Sequence, residues 1–181
     1  MPAFTHRIAR LDDLDALTTL MRRAIEHLQT DFLSTAEVRA SHGVMGLDTQ
    51  LIRDGTYFLV LDGETIAGCG GWSFRATLYG GDASIVTREP ERLDPATDAA
   101  RIRAMYTNPD YVRQGIGRMV LGLCEAAAFA HGFRRAEMMA TLAGEPLYRA
   151  CGYEPIEPVL SAPIDGVRVP LLRMGKALAG V

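Results

Sequence analysis

The stretch that decides the fold reads Tyr111-Val112-Arg113-Gln114-Gly115-Ile116-Gly117-Arg118. It follows a strand-like run, Ile102 to Tyr106, and opens an amphipathic helix whose apolar residues recur at helical spacing. The first N–H groups of a helix have no partner within it, and the helix dipole adds partial positive charge there. Glycines let the backbone approach an anion without an intervening side chain. The pattern predicts a phosphate-binding loop, and the alternative is an ordinary glycine helix start that binds nothing.

Two common nucleotide-binding loops do not fit this stretch. A mononucleotide P-loop ends in Gly-Lys-Ser/Thr, whereas Gly117 is followed by Arg118 and Met119. A dinucleotide fingerprint requires a third glycine three residues after the second, and Val120 occupies that position. A nucleotide-binding regulatory module is therefore disfavoured.

The stretch resembles the acyl-CoA loop of the GNAT acetyltransferases, which has the pattern Gln/Arg-x-x-Gly-x-Gly/Ala. Gly115 and Gly117 match the pattern, while Val112 stands at its first position. A second element, Tyr148-Arg149-Ala150-Cys151-Gly152-Tyr153, is similar to the family's Leu-Tyr-x-x-x-Gly-Phe and begins 31 residues after Gly117. Two motifs at this separation are more specific than either alone. The chain is identified as a GNAT-like protein, and the resemblance covers nearly all of it.

Bulk composition restricts the class of protein. A chain of 181 residues with 48% hydrophobic content favours a single domain spanning 1–181 with a real core. A net charge of −3 argues against a nucleic-acid partner, since phosphate neutralisation needs clustered cations. No apolar run reaches 18 residues and no signal peptide is recognisable, so we expect no membrane association and a cytoplasmic location. The cysteines, Cys69, Cys124 and Cys151, lack metal-ligand spacing, and we expect no metal.

Periodicity and turn signals predict the order of elements. Strands are expected at 3–9, 57–61, 65–74, 102–106, 135–141, from 153, and at 167–174. Helices are expected over 14–28, over 34–53 with a break at Gly43 and Gly46, over 113–132 and over 144–151. Three glycines, Gly68, Gly70 and Gly71, lie in the strand expected at 65–74. They indicate close backbone approach or a bulge. The resemblance implies an α/β fold, with a mixed, mostly antiparallel twisted sheet and helices on both faces.

The resemblance also implies where acetyl-CoA binds. The pyrophosphate is expected on the loop and first helical turn, and the pantetheine arm on the backbone of the preceding strand. The expected cofactor-binding residues are Met105, Tyr106, Thr107, Arg113, Gln114, Gly115, Ile116, Gly117 and Arg118. The side chains of Met105 and Tyr106 have packing as an alternative role, and the two arginines have solvated surface positions as theirs.

The expected catalytic residue is Tyr148, because it matches the family position that assists the departing CoA thiolate. Its alternative is a packing role on a short helix. The base that takes a proton from the amine is not identifiable, because the strand 102–107 carries no carboxylate. Candidates elsewhere are Glu26, His27, Asp31 and Asp82, each more often a surface residue. Trp72 and Phe74 are candidates for an acceptor pocket or for the core.

The function that the resemblance implies is acetyl transfer from acetyl-CoA to a primary amine of a small molecule or peptide, by direct attack on the thioester. The alternative is a non-catalytic acyl-CoA-binding or sensing protein on the same fold. A homodimer is a family-level expectation only. The long segment 75–98 is punctuated by Gly80-Gly81, Pro90 and Pro95, and we expect it to be irregular, mobile and part of the acceptor site.

Overall fold

The computed structural model describes residues 3–180. The strands in chain order are β1 (Thr5–Ile8), β2 (Tyr57–Asp62), β3 (Thr65–Ser73), β4 (Ala100–Thr107), β5 (Arg135–Thr141), β6 (Glu154–Leu160) and β7 (Pro170–Ala177). The helices are α1 (Leu14–Leu28), α2 (Thr35–Ser41), α3 (Thr49–Arg53), α4 (Ile116–Ala130) and α5 (Glu145–Ala150), with short 3₁₀ turns at Leu11–Asp13 and Pro109–Tyr111.

The strands form one seven-stranded sheet in the order β1-β2-β3-β4-β5-β7-β6. Neighbouring strands are antiparallel except β4 and β5, which run parallel and are joined through α4. Side chains of β2 alternate between the two faces of the sheet. Tyr57 and Leu59 pack with α1, whereas Phe58 and Val60 pack with α4. The prediction of a mixed, mostly antiparallel sheet with helices on both faces is confirmed.

The helical stretch predicted over 34–53 is confirmed, including its break. The Ser34 hydroxyl accepts the N–H of Glu37 at 3.2 Å, and the Glu37 carboxylate accepts the N–H of Ser34 at 2.8 Å, so the first helix begins with a reciprocal cap. Gly46 then adopts φ +129°, which no helix allows. The chain re-enters a helix after Asp48, whose side chain accepts the N–H of Gln50 at 3.0 Å.

The close backbone approach predicted for the glycines of β3 is also confirmed. A Cβ atom on Gly71 would lie 2.7 Å from Cδ2 of Tyr57 and 2.8 Å from the carbonyl oxygen of Thr56. A Cβ on Gly70 would meet the Met105 sulfur and a methyl group of Val120. These positions keep α4 and the neighbouring strands tightly packed against β3, and any larger side chain there would force them apart.

Three boundaries, in two elements, were predicted wrongly by three residues. The helix predicted from 113 begins at Ile116, because Arg113 and Gly115 adopt left-handed φ values of +62° and +81° that interrupt helical geometry. The last strand was predicted over 167–174 but spans Pro170–Ala177. Val167 instead closes a turn, exchanging backbone hydrogen bonds of 2.8 and 2.9 Å with Ile164.

Candidate active site

The loop before α4 carries a row of unpaired backbone donors. From Val112 through Arg118, no backbone N–H group has an acceptor within residues 3–180. The first N–H of this region to find a partner is that of Met119, which donates to the carbonyl oxygen of Gly115 at 3.0 Å. Helix N-termini leave donors of this kind, and the loop extends the row beyond what the helix alone supplies. The row can bind an anionic group through several donors at once.

The two motif glycines serve different purposes. Gly115 adopts φ +81° as the residue preceding the helix, and a Cβ there would meet no atom within 4 Å. Its requirement is therefore conformational, since left-handed backbone disfavours a side chain. Gly117 lies inside the first turn, and a Cβ there would lie 2.6 Å from Cδ2 of Leu147. Its requirement is the close packing of α4 against α5.

Apolar packing fixes the direction of α4 and so aims the row of amides. Ile116, Val120, Leu121 and Cys124 are buried in the core between this helix and the sheet. The opposite side of the helix start is exposed, and it carries the side chains of Arg113 and Arg118. Two guanidinium groups beside unpaired N–H donors give this region the positive charge that a pyrophosphate group requires.

A cleft opens where β4 and β5 separate. The two strands pair only at Ala100 with Ala136 and at Arg101 with Glu137. Beyond this point β4 contains a bulge against β3, where Ala104 adopts φ +50°. The hydroxyl of Tyr57 donates to the Ala104 carbonyl oxygen at 2.7 Å and holds this conformation. The bulge bends β4 away from β5, so the backbone edge after Arg101 is left available to a ligand.

A cavity of about 480 Å³ joins this cleft to the loop. All but one of the residues expected to bind the cofactor or act in catalysis line it: Met105, Tyr106, Thr107, Arg113, Gly115, Ile116, Gly117, Arg118 and Tyr148. Gln114 is exposed and does not line the cavity, so only its backbone N–H belongs to the row of donors. The Tyr106 side chain is buried, and its hydroxyl accepts the N–H of Gly46 at 2.9 Å.

Tyr148 lies on α5 at the inner end of the cleft. Its ring packs edge-on against Tyr153, with ring centroids 6.2 Å apart. Its hydroxyl makes no hydrogen bond to any described residue. Burial raises the pKa of the Tyr148 hydroxyl, so the group is protonated at neutral pH. It can therefore donate a hydrogen bond to a ligand in the cleft.

The carboxylate and imidazole candidates for a base lie outside the cavity. Glu26, His27 and Asp31 are exposed and do not line it. Asp82 instead pairs with Arg88 at 2.6 Å and accepts the N–H of Thr49 at 3.2 Å. Each of these side chains has the surface role that was its alternative.

A buried ion pair lies behind the cleft, and no motif or spacing in the sequence predicts it. Arg103 of β4 contacts the Asp48 carboxylate at 2.8 Å, and the two side chains are 3% and 2% exposed. The same guanidinium donates to the carbonyl oxygens of Thr77 at 3.0 Å and Gly80 at 2.7 Å. Arg88 contacts the second Asp48 oxygen at 2.9 Å. The pair ties the segment 75–98 to α3 and β4.

The middle of the segment 75–98 lies closer to the cleft than its start does. The segment leaves the sheet at Ser73, which pairs with Arg101, about 16 Å along β4 from Tyr106 at roughly 3.3 Å per residue. Leu78, Tyr79 and Gly80 line a second cavity of about 70 Å³, which shares lining residues with the larger one. None of the segment's acidic residues lines either cavity.

Mobility of this segment stays a prediction, and the structure makes it specific. Amides of Thr87 and Arg88 have no acceptor within residues 3–180, whereas the amides of Ala76 and Leu93 donate to the chain at 2.9 and 2.8 Å. We expect hydrogen exchange to be fast at 87–88 in the free protein and slow at 76 and 93, because exchange requires an open N–H. Uniformly slow exchange across 75–98 would show instead that the segment is a rigid connector.

The remaining candidates belong to the core. Trp72 is 2% exposed and packs edge-on against Phe74 and Phe133, so it does not line the acceptor side. Cys69 lines the larger cavity, but burial raises the pKa of its thiol to about 12. Burial likewise raises the pKa of Cys124. Both therefore stay protonated at neutral pH and do not act as nucleophiles there.

Across residues 3–180, no three His, Cys, Asp or Glu side chains are grouped so that they could hold a metal ion. None of the helices within the same range has the length and apolar character needed to cross a membrane.

Solved structures with the same fold are numerous but distant in sequence. The GCN5-related N-acetyltransferase "Aminotransferase, Class-II" from Rhodopseudomonas palustris is 16% identical, with 98% of this chain and 96% of that chain covered and a TM-score of 0.69. PaiA N-acetyltransferase from Thermoplasma acidophilum, solved in complex with coenzyme A, is 13% identical, with coverages of 97% and 99% and a TM-score of 0.62. YncA, a putative acetyltransferase from Salmonella typhimurium solved with acetyl-CoA, is 16% identical, with coverages of 98% and 95% and a TM-score of 0.64.

At these identities the structural neighbours establish the fold alone. A search of curated protein sequences gives no significant match. The sequence model of the Acetyltransferase (GNAT) family, in contrast, matches residues 22–153, which include the loop before α4, the cleft and α5. With most of its length matched in this way, the chain belongs to the GNAT family of acetyltransferases.

Proposed function

We propose that this protein transfers an acetyl group from acetyl-CoA to a primary amine of a small molecule or peptide. The observation that carries the proposal is the row of unpaired amides from Val112 to Arg118, which opens into the cleft between β4 and β5. The amides of 114–118 bind the pyrophosphate, and Arg113 and Arg118 add charge-assisted hydrogen bonds. The exposed edge of β4 after Arg101 receives the pantetheine arm through its backbone groups.

The chemistry follows from the groups that surround the inner end of the cleft. Backbone N–H groups near 105–107 polarise the thioester carbonyl, where negative charge develops during attack. The amine nitrogen forms the new C–N bond, and the C–S bond breaks. Tyr148 donates a proton or a strong hydrogen bond to the departing thiolate, and the amine nitrogen loses one proton to solvent. Solvent returns one proton to Tyr148 or to the thiolate, so that CoA leaves as the thiol and Tyr148 ends the cycle protonated. No side chain forms a covalent bond with the acetyl group.

Binding of coenzyme A to a Gly115→Val variant tests whether the row of unpaired amides before α4 binds the cofactor. Valine at φ +81° is strained, so the loop must rearrange and part of the row of donors loses its direction. We expect the affinity measured by calorimetry to fall by about 1–3 kcal/mol, the cost of stranding hydrogen-bond partners. Gly122→Ala, in the middle of α4 where a Cβ would meet nothing within 4 Å, is the matched control. Unchanged affinity in a folded Gly115→Val protein would move the cofactor site elsewhere.

A thiol-release assay distinguishes acetyl transfer from a second candidate function, acyl-CoA binding without turnover. No carboxylate or imidazole among residues 3–180 lines either cavity, and this favours a protein that binds acyl-CoA without turning it over. Release of CoA that depends on an added amine supports acetyl transfer. Tight acetyl-CoA binding with no release across polyamines, amino acids, aminoglycosides and peptide N-termini supports the binding protein.

A further inference from the structure

Gln29 is a buried amide in the wall of the larger cavity that the steps above do not use. It follows α1 directly, is 4% exposed, and lines the cavity beside Met45. Its Nε2 donates to the Met45 sulfur at 3.4 Å, while its buried Oε1 has no hydrogen-bond partner within residues 3–180. A thioether sulfur has no proton to donate, so the amide nitrogen belongs beside it. The carbonyl oxygen is therefore the group left unpaired.

An unpaired buried carbonyl destabilises a protein, so its presence beside a cavity requires an explanation. A ligand N–H supplies the missing partner. The terminal torsion of a glutamine side chain is broad, so the amide can turn its oxygen toward the cavity by giving up the contact of Nε2 with the Met45 sulfur. The oxygen is thus an available hydrogen-bond acceptor in the wall of the cleft.

Gln29 is linked to β4 through a short series of contacts. Met45, its hydrogen-bond partner, lines both cavities. The next residue, Gly46, donates its N–H to the hydroxyl of Tyr106 on β4 at 2.9 Å. Five apolar residues that pack in one cluster line the same cavity as Gln29, namely Ala24, Ile25, Leu28, Met45 and Cys69. A molecule that reaches Gln29 therefore presents an N–H group from an apolar frame.

The phenols of Tyr106, Tyr111 and Tyr148 and the thiol of Cys69 line this cavity, together with the guanidinium groups of Arg113 and Arg118. None of these side chains is a carboxylate or an imidazole, the groups that ordinarily take up a proton near neutral pH. Burial raises the pKa of Tyr106 and Tyr148 above the ordinary phenol value and that of Cys69 to about 12. The cavity thus suits an amine that arrives already neutral.

We propose that Oε1 of Gln29 accepts an N–H of the acceptor amine, and that this acceptor is a weakly basic primary amine on an apolar frame. The inference rests on the acetyl-transfer function proposed above. An α-amino group, with a pKa of about 7.7–8.0, is roughly one third neutral at pH 7.5. An alkyl amine, with a pKa of about 10.4, is neutral in only about one molecule in a thousand at that pH. Aromatic amines are weaker bases still, because the ring delocalises the nitrogen lone pair, and they are neutral at that pH.

The first test compares amines by thiol release. Leucinamide and 3-methylbutylamine share an apolar frame but differ in basicity, aniline represents aromatic amines, and spermidine is a polycation. We expect leucinamide or aniline to have a kcat/KM at pH 7.5 at least about 10-fold above that of the other two, and the better of the two identifies the source of the amine. A preference for spermidine or 3-methylbutylamine would contradict the inference.

The second test is the pH dependence of kcat/KM. If the amine arrives neutral, the profile for leucinamide rises to a plateau near the pKa of leucinamide itself. The profile for 3-methylbutylamine then continues to rise at least about one pH unit further. Rising limbs that coincide for the two amines would identify an enzyme group as the base and contradict the inference.

The third test removes the oxygen from Gln29. Gln29→Met is nearly isosteric and eliminates a buried unpaired group, so we expect a folded protein whose melting temperature is unchanged or raised. KM for the preferred amine should rise about 10-fold, the effect of one lost hydrogen bond, while the affinity for coenzyme A is unchanged. A purely structural role would not produce this difference between amine and coenzyme A. Thr30→Val, at the exposed neighbouring residue, is the matched control and should leave KM unchanged.

A variant that adds a charge at position 29 tests the role of Gln29 separately from the acetyl-transfer function. Gln29→Glu places a carboxylate beside the amine, where it can bind the ammonium form of 3-methylbutylamine and take its proton, so the activity with this amine should rise relative to that with leucinamide. Amine-dependent turnover that is the same in wild type, Gln29→Met and Gln29→Glu contradicts this inference and leaves acetyl transfer standing. Absence of turnover by the wild-type protein with every amine contradicts acetyl transfer itself.

Discussion

Replacing Tyr148 by Phe is expected to lower kcat by about 10–100-fold while leaving the affinity for coenzyme A nearly unchanged. The variant keeps the ring that packs against Tyr153 and removes only a hydroxyl that makes no hydrogen bond to described residues. The fold should therefore be unaffected. In the wild-type protein the raised pKa of Tyr148 keeps its hydroxyl protonated, so this hydroxyl can donate a hydrogen bond to the departing thiolate. The Phe variant lacks that donor. Steady-state kinetics with any accepted amine measures the effect.

Tyr153→Phe is the matched control for this prediction. Tyr153 lies against Tyr148, is 2% exposed, and does not line either cavity. Both variants remove one phenolic oxygen from the same aromatic pair, but only one oxygen faces the cleft. A kcat that falls equally in both would assign the loss to altered packing. Wild-type turnover in Tyr148→Phe would return Tyr148 to a packing role.

Replacing Asp48 by Asn is expected to lower the free energy of unfolding by about 3–5 kcal/mol. The change leaves the guanidinium of Arg103, which is 3% exposed, without its counter-charge in a place that water does not reach. The attraction within a buried ion pair is largely offset by the cost of removing both charges from water. Removal of one partner is nevertheless destabilising, because it leaves the other charge buried and unpaired. Arg103 keeps its hydrogen bonds to two carbonyl oxygens in the variant, so among its contacts only the ion pair is lost. The free energy of unfolding is measured with denaturant.

An exposed ion pair in the same protein provides the control. Glu145 contacts Arg149 at 2.7 Å, four residues along the chain, and the two side chains are 26% and 52% exposed. Glu145→Gln should cost no more than about 1 kcal/mol, because water screens exposed charges. Equal losses in the two variants would mean that the Asp48–Arg103 pair is no more sensitive than a surface contact. Because the pair anchors the segment 75–98, the Asp48 variant should also speed hydrogen exchange there.

Local sequence was sufficient for those parts of the fold that depend on short-range physics. The apolar spacing of α1, the reciprocal cap formed by Ser34 and Glu37, and the glycines of β3 each depend on neighbours within a few residues or on a pattern of fixed period. These predictions are confirmed. Boundaries failed where backbone conformation departs from what the residue type suggests. Arg113 adopts φ +62°, and nothing in the identity of an arginine predicts left-handed backbone.

The sequence by itself determined the family resemblance, the order of elements and the loop that starts α4, because these are written in residue spacing. Only the tertiary structure decided what surrounds the cleft. Asp48 and Arg103 are 55 residues apart, and Gln29 meets Met45, 16 residues further along the chain, with α2 between them. The segment 75–98 lines the second cavity, which adjoins the cleft, through Leu78, Tyr79 and Gly80. Contacts between distant parts of a chain depend on how whole elements pack, and packing is a property of the folded molecule, not of any local pattern.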